Sequence, residues 1–257
     1  MPSSITLTQT QAGIGLLTLN RPTKRNALDG EIIQEWTQTL QTLAQDKTVH
    51  VLLIAGNGEH FCAGADIAWM QKMAQSTLAE NKTDALGLAT LLHTLYTFPK
   101  PTIGLVHGAV MGGGLGVIAC CDMVIAADNS FFCFSEVKIG LTPSVISPYV
   151  VPIIGERAAR YYFLTAEKFS ADIAQELNLI QKQVPLEKLQ ATGLQLADEL
   201  LKHSPHALSE VKKLTRHTVS PEIMQITAEH LAMMRMAADA REGLQAFLEK
   251  RLPVWKD

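Results

Sequence analysis

The stretch "KPTIGLVHGAVMGGGLGVIACCDMVIAAD" (residues 100–128) decides the fold. "KPTIGLVHGAV" reads as a strand, "GGGLGVIACC" as a buried helix and "DMVIAAD" as another strand. A strand, a glycine turn, a helix and a strand with short connections is the pattern of a parallel sheet in an α/β protein. Glycine inside an element costs about 0.5–1 kcal/mol against alanine. Gly112, Gly113 and Gly114 in a row therefore imply a close backbone approach, or N–H groups aimed at a phosphate, an oxyanion or a neighbouring helix.

The same alternation extends to both sides. "ITLTQTQAGIGLLTLN" (5–20) reads as a two-stranded hairpin. "EIIQEWTQTLQTLAQD" (31–46) carries Ile32, Ile33, Trp36, Leu40 and Leu43 at helical spacing. "VHVLLIAGNG" is a short buried strand, followed by "FCAGAD" and the helical "IAWMQKMAQ"; after a polar region near 75–83, "ALGLATLLHTLYTF" (85–98) is a helix stopped by Pro99. "SFFCFS" is a further short strand, and from about residue 156 the chain reads as mostly helical. There "SPHALSEVKKLTRHT" opens with Ser204 as N-cap and Pro205 at the first helical position. The closing stretch "AEHLAMMRMAADAREGLQAFLEKRLPVW" is helical up to Pro253, and its Met and Leu positions fit either a core face or a subunit interface.

Composition narrows the function. The chain has 257 residues, 47% hydrophobic and 18% charged, with a net charge of −3 and no basic block. Nucleic acid is a poor partner for such a surface, and no apolar run reaches the roughly 18 residues of a membrane span. "MPSSITLTQTQAG" lacks the pattern of a secretory signal. Cys62, Cys120, Cys121 and Cys133 have no zinc-site spacing and read as buried free thiols, in keeping with a cytoplasmic location. The eight histidines have no metal-ligand spacing, and His107 before the glycines reads as structural.

A dinucleotide loop needs GxGxxG, yet Ala119 stands where the last glycine belongs and no "GK[ST]" follows. Two readings stay open for the glycines: tight helix-on-sheet packing, or an oxyanion site at a helix N-terminus, where free N–H groups and the dipole favour negative charge. One N–H is rarely enough. "FCAGAD" is the candidate partner, since it also follows a strand and opens a helix at the same edge of a parallel sheet.

"RPTKRNALD", "FCAGADI", "KPTIGLVHGAVMGGGLGVIACCD", "FSEVKIGL" and "EGLQAFLEKRLPVW", in this order, resemble the crotonase (enoyl-CoA hydratase/isomerase) superfamily. The resemblance implies an α/β spiral of repeated ββα units over residues 1–195 and a helical trimerisation region over 196–257. It implies homotrimers or hexamers (dimers of trimers) acting on acyl-CoA thioesters, with coenzyme A part of the substrate and no separate cofactor. The backbone N–H groups of Ala65 and Gly113 would hold the thioester oxygen of an enolate-like intermediate. The backbone around Ala63, Asp66, Ile67 and Ala68 would meet the adenine, Lys24, Arg25 and Ala27 would lie near the phosphates, and Lys250 would reach a neighbouring subunit's coenzyme A. Gly112 and Gly116 would border the bound thioester.

Family hydratases carry two glutamates. One matches Glu136 in "CFSEVKIG", a general acid/base whose apolar surroundings would raise its pKa. The other would fall at Gly116. The "ISPYV" form in "TPSVISPYVVPIIG" (142–155) is similar to bacterial methylglutaconyl-CoA hydratase-like members, which makes Ser144, Ser147 and Tyr149 candidates to line the acyl pocket and hydrogen-bond water or a distal group. The rest of that pocket is expected from "IAWMQKMAQ", with Met70 and Met73, and a distal carboxylate would find Lys72 or Lys138. Three activities follow as expectations: an enoyl-CoA hydratase first, a Δ3–Δ2 enoyl-CoA isomerase working with Glu136 alone second, and a weakly active acyl-CoA-binding member third.

Overall fold

The structure, a computed structural model, describes residues 4–216 and 220–254. The end of the closing motif, Trp255, and the His217–Thr218 end of the helix expected from Ser204 lie outside the described residues. The N-terminal hairpin forms as expected, β1 (Ile5–Gln11) against β2 (Gly13–Leu19). Asp29 caps α1 (Gly30–Gln45) by accepting from the Ile32 N–H, and the five apolar residues read from the spacing are its buried face. Strand β3 (Val49–Gly56) follows, then α2 (Ile67–Gln75) and α3 (Leu78–Tyr96). Helix α3 starts seven residues before the expected 85, because Thr77 and Glu80 form a reciprocal capping box.

The expected strand 100–110 is two strands. Gly108 (φ +57°) turns the chain between β4 (Thr102–Val106) and β5 (Ala109–Met111), and a Cβ there would overlap the Glu59 carbonyl oxygen. Helix α4 (Gly113–Cys120), β6 (Met123–Ala127) and β7 (Phe131–Cys133) complete the stretch. Beyond it come α5 (Ser147–Ile154), α6 (Glu156–Thr165), β8 (Phe169–Ser170), α7 (Ala171–Glu176) and β9 (Lys182–Val184). The helical reading after residue 156 missed β8 and β9, both too short to show a period. Helices α8 (Leu189–Leu201), α9 (Pro205–Thr215), α10 (Pro221–Met236) and α11 (Ala238–Leu248) end the chain. The division at 195/196 falls inside α8, which packs on β3, β4 and β6.

One sheet has the order β1-β2-β3-β4-β6-β9, parallel from β2 onward, and a smaller one the order β5-β7-β8. Successive turns place a strand in the large sheet, a short extended piece in the small one, and then a helical turn. The small sheet therefore sets the register of the site. Cys62 bridges Val110 in parallel, and Val110 pairs with Phe132. Three or four residues beyond these partners lie Ala65, Gly113 and Glu136. Parallel neighbours are about 4.8 Å apart, so equal offsets deliver three distant segments to one place.

The closing helix expected from residue 228 up to Pro253 is broken. Ala237 is extended (ψ 152°) between α10 and α11, although no Gly or Pro marks the break. The cause is tertiary. Helix α11 turns back onto the short 3₁₀ segment Glu136–Ile139, where Gly140 and Gly243 allow contacts with Asp239 and Ile139 that a Cβ would block. Its Met and Leu positions divide between both expected roles: Leu231 and Leu244 are buried, whereas Met233 is 55% exposed.

Candidate active site

The site assembles around Gly112. Its φ of 48° and ψ of −118° suit only glycine, and they turn the chain from β5 into α4. A Cβ on Gly112 would sit 3.5 Å from Glu136 Oε1 and 3.7 Å from Gly64 Cα, so the "FCAGAD" loop, the glycine turn and the Glu136 carboxyl meet there. A bond from the Gly112 N–H to Cys133 O (3.3 Å) ties this turn to β7.

Among the described residues neither the Ala65 N–H nor the Gly113 N–H has an acceptor. Gly113 opens a helix, where the first N–H groups have no intrahelical partner. Ala65 is exposed, and the bridge to Leu28 uses the Gly64 carbonyl (2.7 Å) and the Asp66 N–H (2.8 Å), leaving the Ala65 N–H outside the ladder. Glu136 Oε2 is buried with no hydrogen-bond partner among the described residues. Burial pushes this carboxyl up to about 7, against a weaker opposing bond from its own backbone. A carboxyl that changes charge near neutrality, beside two free N–H groups, is equipped to move a proton at a carbon next to a polarised carbonyl.

Gly116 lies one helical turn beyond Gly112. A Cβ there would overlap the Ile146 Cγ2 methyl and lie 3.1 Å from Ile146 Cβ and 3.2 Å from Leu92 Cδ1. Gly116, Ile146 and Leu92 are all buried, so a packed apolar wall stands where a second carboxylate would be. Gly116→Ala is expected to cost about 1–3 kcal/mol by overpacking a β-branched neighbour. Thermal unfolding should show the loss, and Gly116→Ala should cost less when introduced into an Ile146→Ala chain than into the unmodified one.

The other expected residues divide. Lys24 Nζ is 2.8 Å from Asp66 Oδ2, and Arg21 approaches the same oxygen at 3.3 Å. Burial opposes ionisation of Asp66. The bonds from Lys24 and the Trp69 N–H and the two nearby charges outweigh it, holding the carboxyl below its usual range. Asp66 thus caps α2 and anchors Lys24. Arg25 is exposed at φ 51°; its carbonyl accepts from the Ala63 N–H (3.0 Å), while its guanidinium has no partner among the described residues. Ala27 is buried and its carbonyl accepts from Arg21 (3.3 Å), whereas Ile67 and Ala68 face outward. Lys250 is exposed at φ 54°.

Three sets of residues expected at the acyl pocket have the following surroundings. Tyr149 is 2% exposed and belongs to the core: its ring meets Tyr96 edge-on at 5.1 Å. Ser147 Oγ donates to the Ser144 carbonyl (2.8 Å), a local helix-start bond. Lys138 reaches the Cys133 thiol (3.9 Å), and Lys72 lies 4.8 Å over the Trp69 ring. Trp69, Lys72 and Met73 line a cavity of 830 Å³ between α1, α2 and α3, and Ala65, Gly113 and Glu136 are not among its walls. Ser144 is buried with its hydroxyl 2.8 Å from His230 Nδ1 on α10, a partner no local sequence signal connects to it. His107 Nε2 meets the Gly58 carbonyl at 2.8 Å, and all four cysteines are free.

Known proteins share this arrangement of elements. The profile of the family described as enoyl-CoA hydratase/isomerase matches residues 9–257. The chain is 32% identical over 250 residues to the 2,3-dehydroadipyl-CoA hydratase of Escherichia coli, covering 96% of each protein. An enoyl-CoA hydratase structure from Shewanella pealeana superposes with a TM-score of 0.80 at 41% identity, covering 98% of this chain and 96% of that one. One from Mycobacterium avium gives 0.86 at 32% identity, covering 99% and 100%.

Proposed function

Because the chain belongs to the enoyl-CoA hydratase/isomerase family, we propose that it is an enoyl-CoA hydratase in which one glutamate performs both proton transfers. The observation that carries this is the buried, unpartnered Glu136 carboxyl beside the free Ala65 and Gly113 N–H groups. Glu136 as carboxylate takes a proton from water while the water oxygen bonds to C3 of the conjugated thioester. The π electrons move onto the thioester oxygen, which the two N–H groups hold. Glu136, now protonated, returns the proton to C2 on the same face, and the carboxylate is regenerated.

The Ile146 wall at Gly116 favours a second reading, a Δ3–Δ2 isomerase, since moving a proton from C2 to C4 needs one base and no water. Turnover on crotonyl-CoA, 3-methylglutaconyl-CoA and a 3-enoyl-CoA, with product masses, separates them. Gain of one water on a conjugated substrate supports the hydratase. Mass-neutral conjugation of the 3-enoyl substrate alone would replace it with the isomerase. Binding without turnover would leave the acyl-CoA-binding reading. The branched, carboxylated substrate belongs in this panel because of the "ISPYV" segment.

Arg25 and Lys24 supply positive charge for the coenzyme A phosphates. Arg25→Ala is expected to raise KM about fivefold with kcat unchanged, the scale of one exposed charge contact near 1 kcal/mol. The proposed trimer or hexamer would cover exposed apolar residues of α9 and α10, among them Leu214 (85% exposed), Ile226 (58%) and Met233 (55%). Among the described residues no helix is long and apolar enough to cross a membrane, and the four free thiols fit the proposed cytoplasmic setting.

A further inference from the structure

We propose that Arg21 is a positioning residue for the Ala65 N–H, acting through the Asp66 carboxylate. This rests on the reading of that N–H as a donor to the thioester oxygen. The donor is set by a short parallel ladder. The Ala63 N–H bonds to Arg25 O (3.0 Å), the Leu28 N–H to Gly64 O (2.7 Å) and the Asp66 N–H to Leu28 O (2.8 Å). These bonds leave the Ala65 N–H on the free side of the loop, and its direction follows from the peptide planes on either side. Helix α2 begins two residues later with Asp66 as its cap, so whatever holds Asp66 holds the end of that loop.

Arg21 holds it from a protected position. Its guanidinium bonds to Asp66 Oδ2 (3.3 Å), to Asp29 Oδ2 (2.5 Å) and to the Ala27 carbonyl (3.3 Å). The other oxygen of each carboxylate caps a helix: Asp29 Oδ1 accepts from the Ile32 N–H (3.0 Å) and Asp66 Oδ1 from the Trp69 N–H (3.1 Å). One planar fork of donors therefore fixes the starts of α1 and α2 relative to each other, on both sides of the ladder that carries Ala65. The root of the arginine is fixed too. Its backbone N–H donates to Oδ1 of the fully buried Asn26 (2.9 Å), whose Nδ2 donates to Asn57 O (2.9 Å) and His60 O (2.8 Å). Lys24 also reaches Asp66 Oδ2, but its side chain is 51% exposed against 15% for Arg21, so solvent or a bound anion can draw it away. A merely structural clamp would move stability and ligand affinity together and leave the thioester carbonyl as polarised as before.

The test is Arg21→Gln in the full chain, with three readouts. They are turnover of whichever enoyl-CoA the unmodified protein uses, affinity for free coenzyme A, which has no thioester carbonyl, and the infrared carbonyl stretch of bound saturated acyl-CoA. The expected result is a kcat lower by about 10–100-fold, the scale of a displaced reacting group, with coenzyme A affinity unchanged and the stretch shifted towards its value in water. Asp66→Asn, which keeps an oxygen for the Trp69 N–H, should lower kcat and shift the stretch in the same way. The double variant should be no slower than the slower single one. An unchanged kcat, an unshifted stretch, a coenzyme A affinity that falls in step with kcat, or single effects that multiply in the double variant each overturns the proposal. Asp66→Asn decides by kcat and the stretch if Arg21→Gln does not fold. If the unmodified protein leaves the stretch at its value in water, the reading of the Ala65 and Gly113 N–H groups itself fails. If it shifts the stretch and Arg21→Gln shifts it equally, only this inference fails.

Discussion

Glu136→Gln is expected to lower kcat by about 10²–10⁴-fold, the range for loss of a positioned acid/base group, while saturated acyl-CoA binds as before. The amide keeps the shape of the carboxyl and removes its proton exchange. Retention of more than about a tenth of the activity would remove Glu136 from the mechanism. The pH dependence has a definite sign. In the proposed mechanism catalysis begins from the carboxylate, and burial pushes this group up to about 7, so kcat/KM should rise with pH up to about 7 and level off above it. Stability should run the other way. A carboxyl whose folded pKa lies above its unfolded value favours folding most at low pH, below about 4.5, and loses that contribution as pH climbs through 7. The wild-type chain thereby gives up at most about 3 kcal/mol above pH 7. Glu136→Gln should be more stable than wild type there, and the titration-dependent part of that difference should vanish below about pH 4.5. Denaturant unfolding of both proteins across this window measures it.

Gly113→Pro should remove one of the two donors to the thioester oxygen while keeping the helix. Position 113 is the first residue of α4, where proline is well tolerated because its missing N–H has no helical acceptor. A Cβ at this position lies 3.0 Å from the Leu28 Cδ1 methyl, the end of a movable side chain, and the ring Cδ takes the place of the N–H. Loss of one oxyanion donor costs about 2.7–4 kcal/mol, or 10²–10³ in kcat. The expected variant is folded and turns over at a hundredth of the normal rate or less. Near-normal turnover in a folded variant would assign the thioester oxygen to other donors, and with it a different role for the three glycines.

The elements that carry this chemistry were legible because each has a local signature. A β-branched run, a glycine turn and an apolar run announce a strand, a tight connection and a buried helix, and "FCAGAD" repeats the arrangement after β3. Glu136 was legible because "CFSEVKIG" resembles a family motif and follows the apolar strand closely. The direction of Tyr149 was not legible, because its motif marks chain position only: in α5 its ring meets Tyr96 in the core. The break at Ala237 left no local trace, since packing of α11 on the Glu136 segment, not a glycine or proline, imposes it.

By itself the sequence determined most of the succession of strands and helices and the glycine turn at 112–114, because periodicity and backbone chirality act over a few neighbouring residues; its resemblance to a family singled out Glu136 as the candidate acid/base. Only the tertiary structure decided that Ile146 closes the space beside Gly116, that Asp66 is held by Lys24 and Arg21, and that Ser144 meets His230 across 86 positions of chain. Those contacts follow from the register of the small sheet and from the path of the C-terminal helices, which bring residues far apart in sequence within a few ångströms. No local pattern encodes that distance.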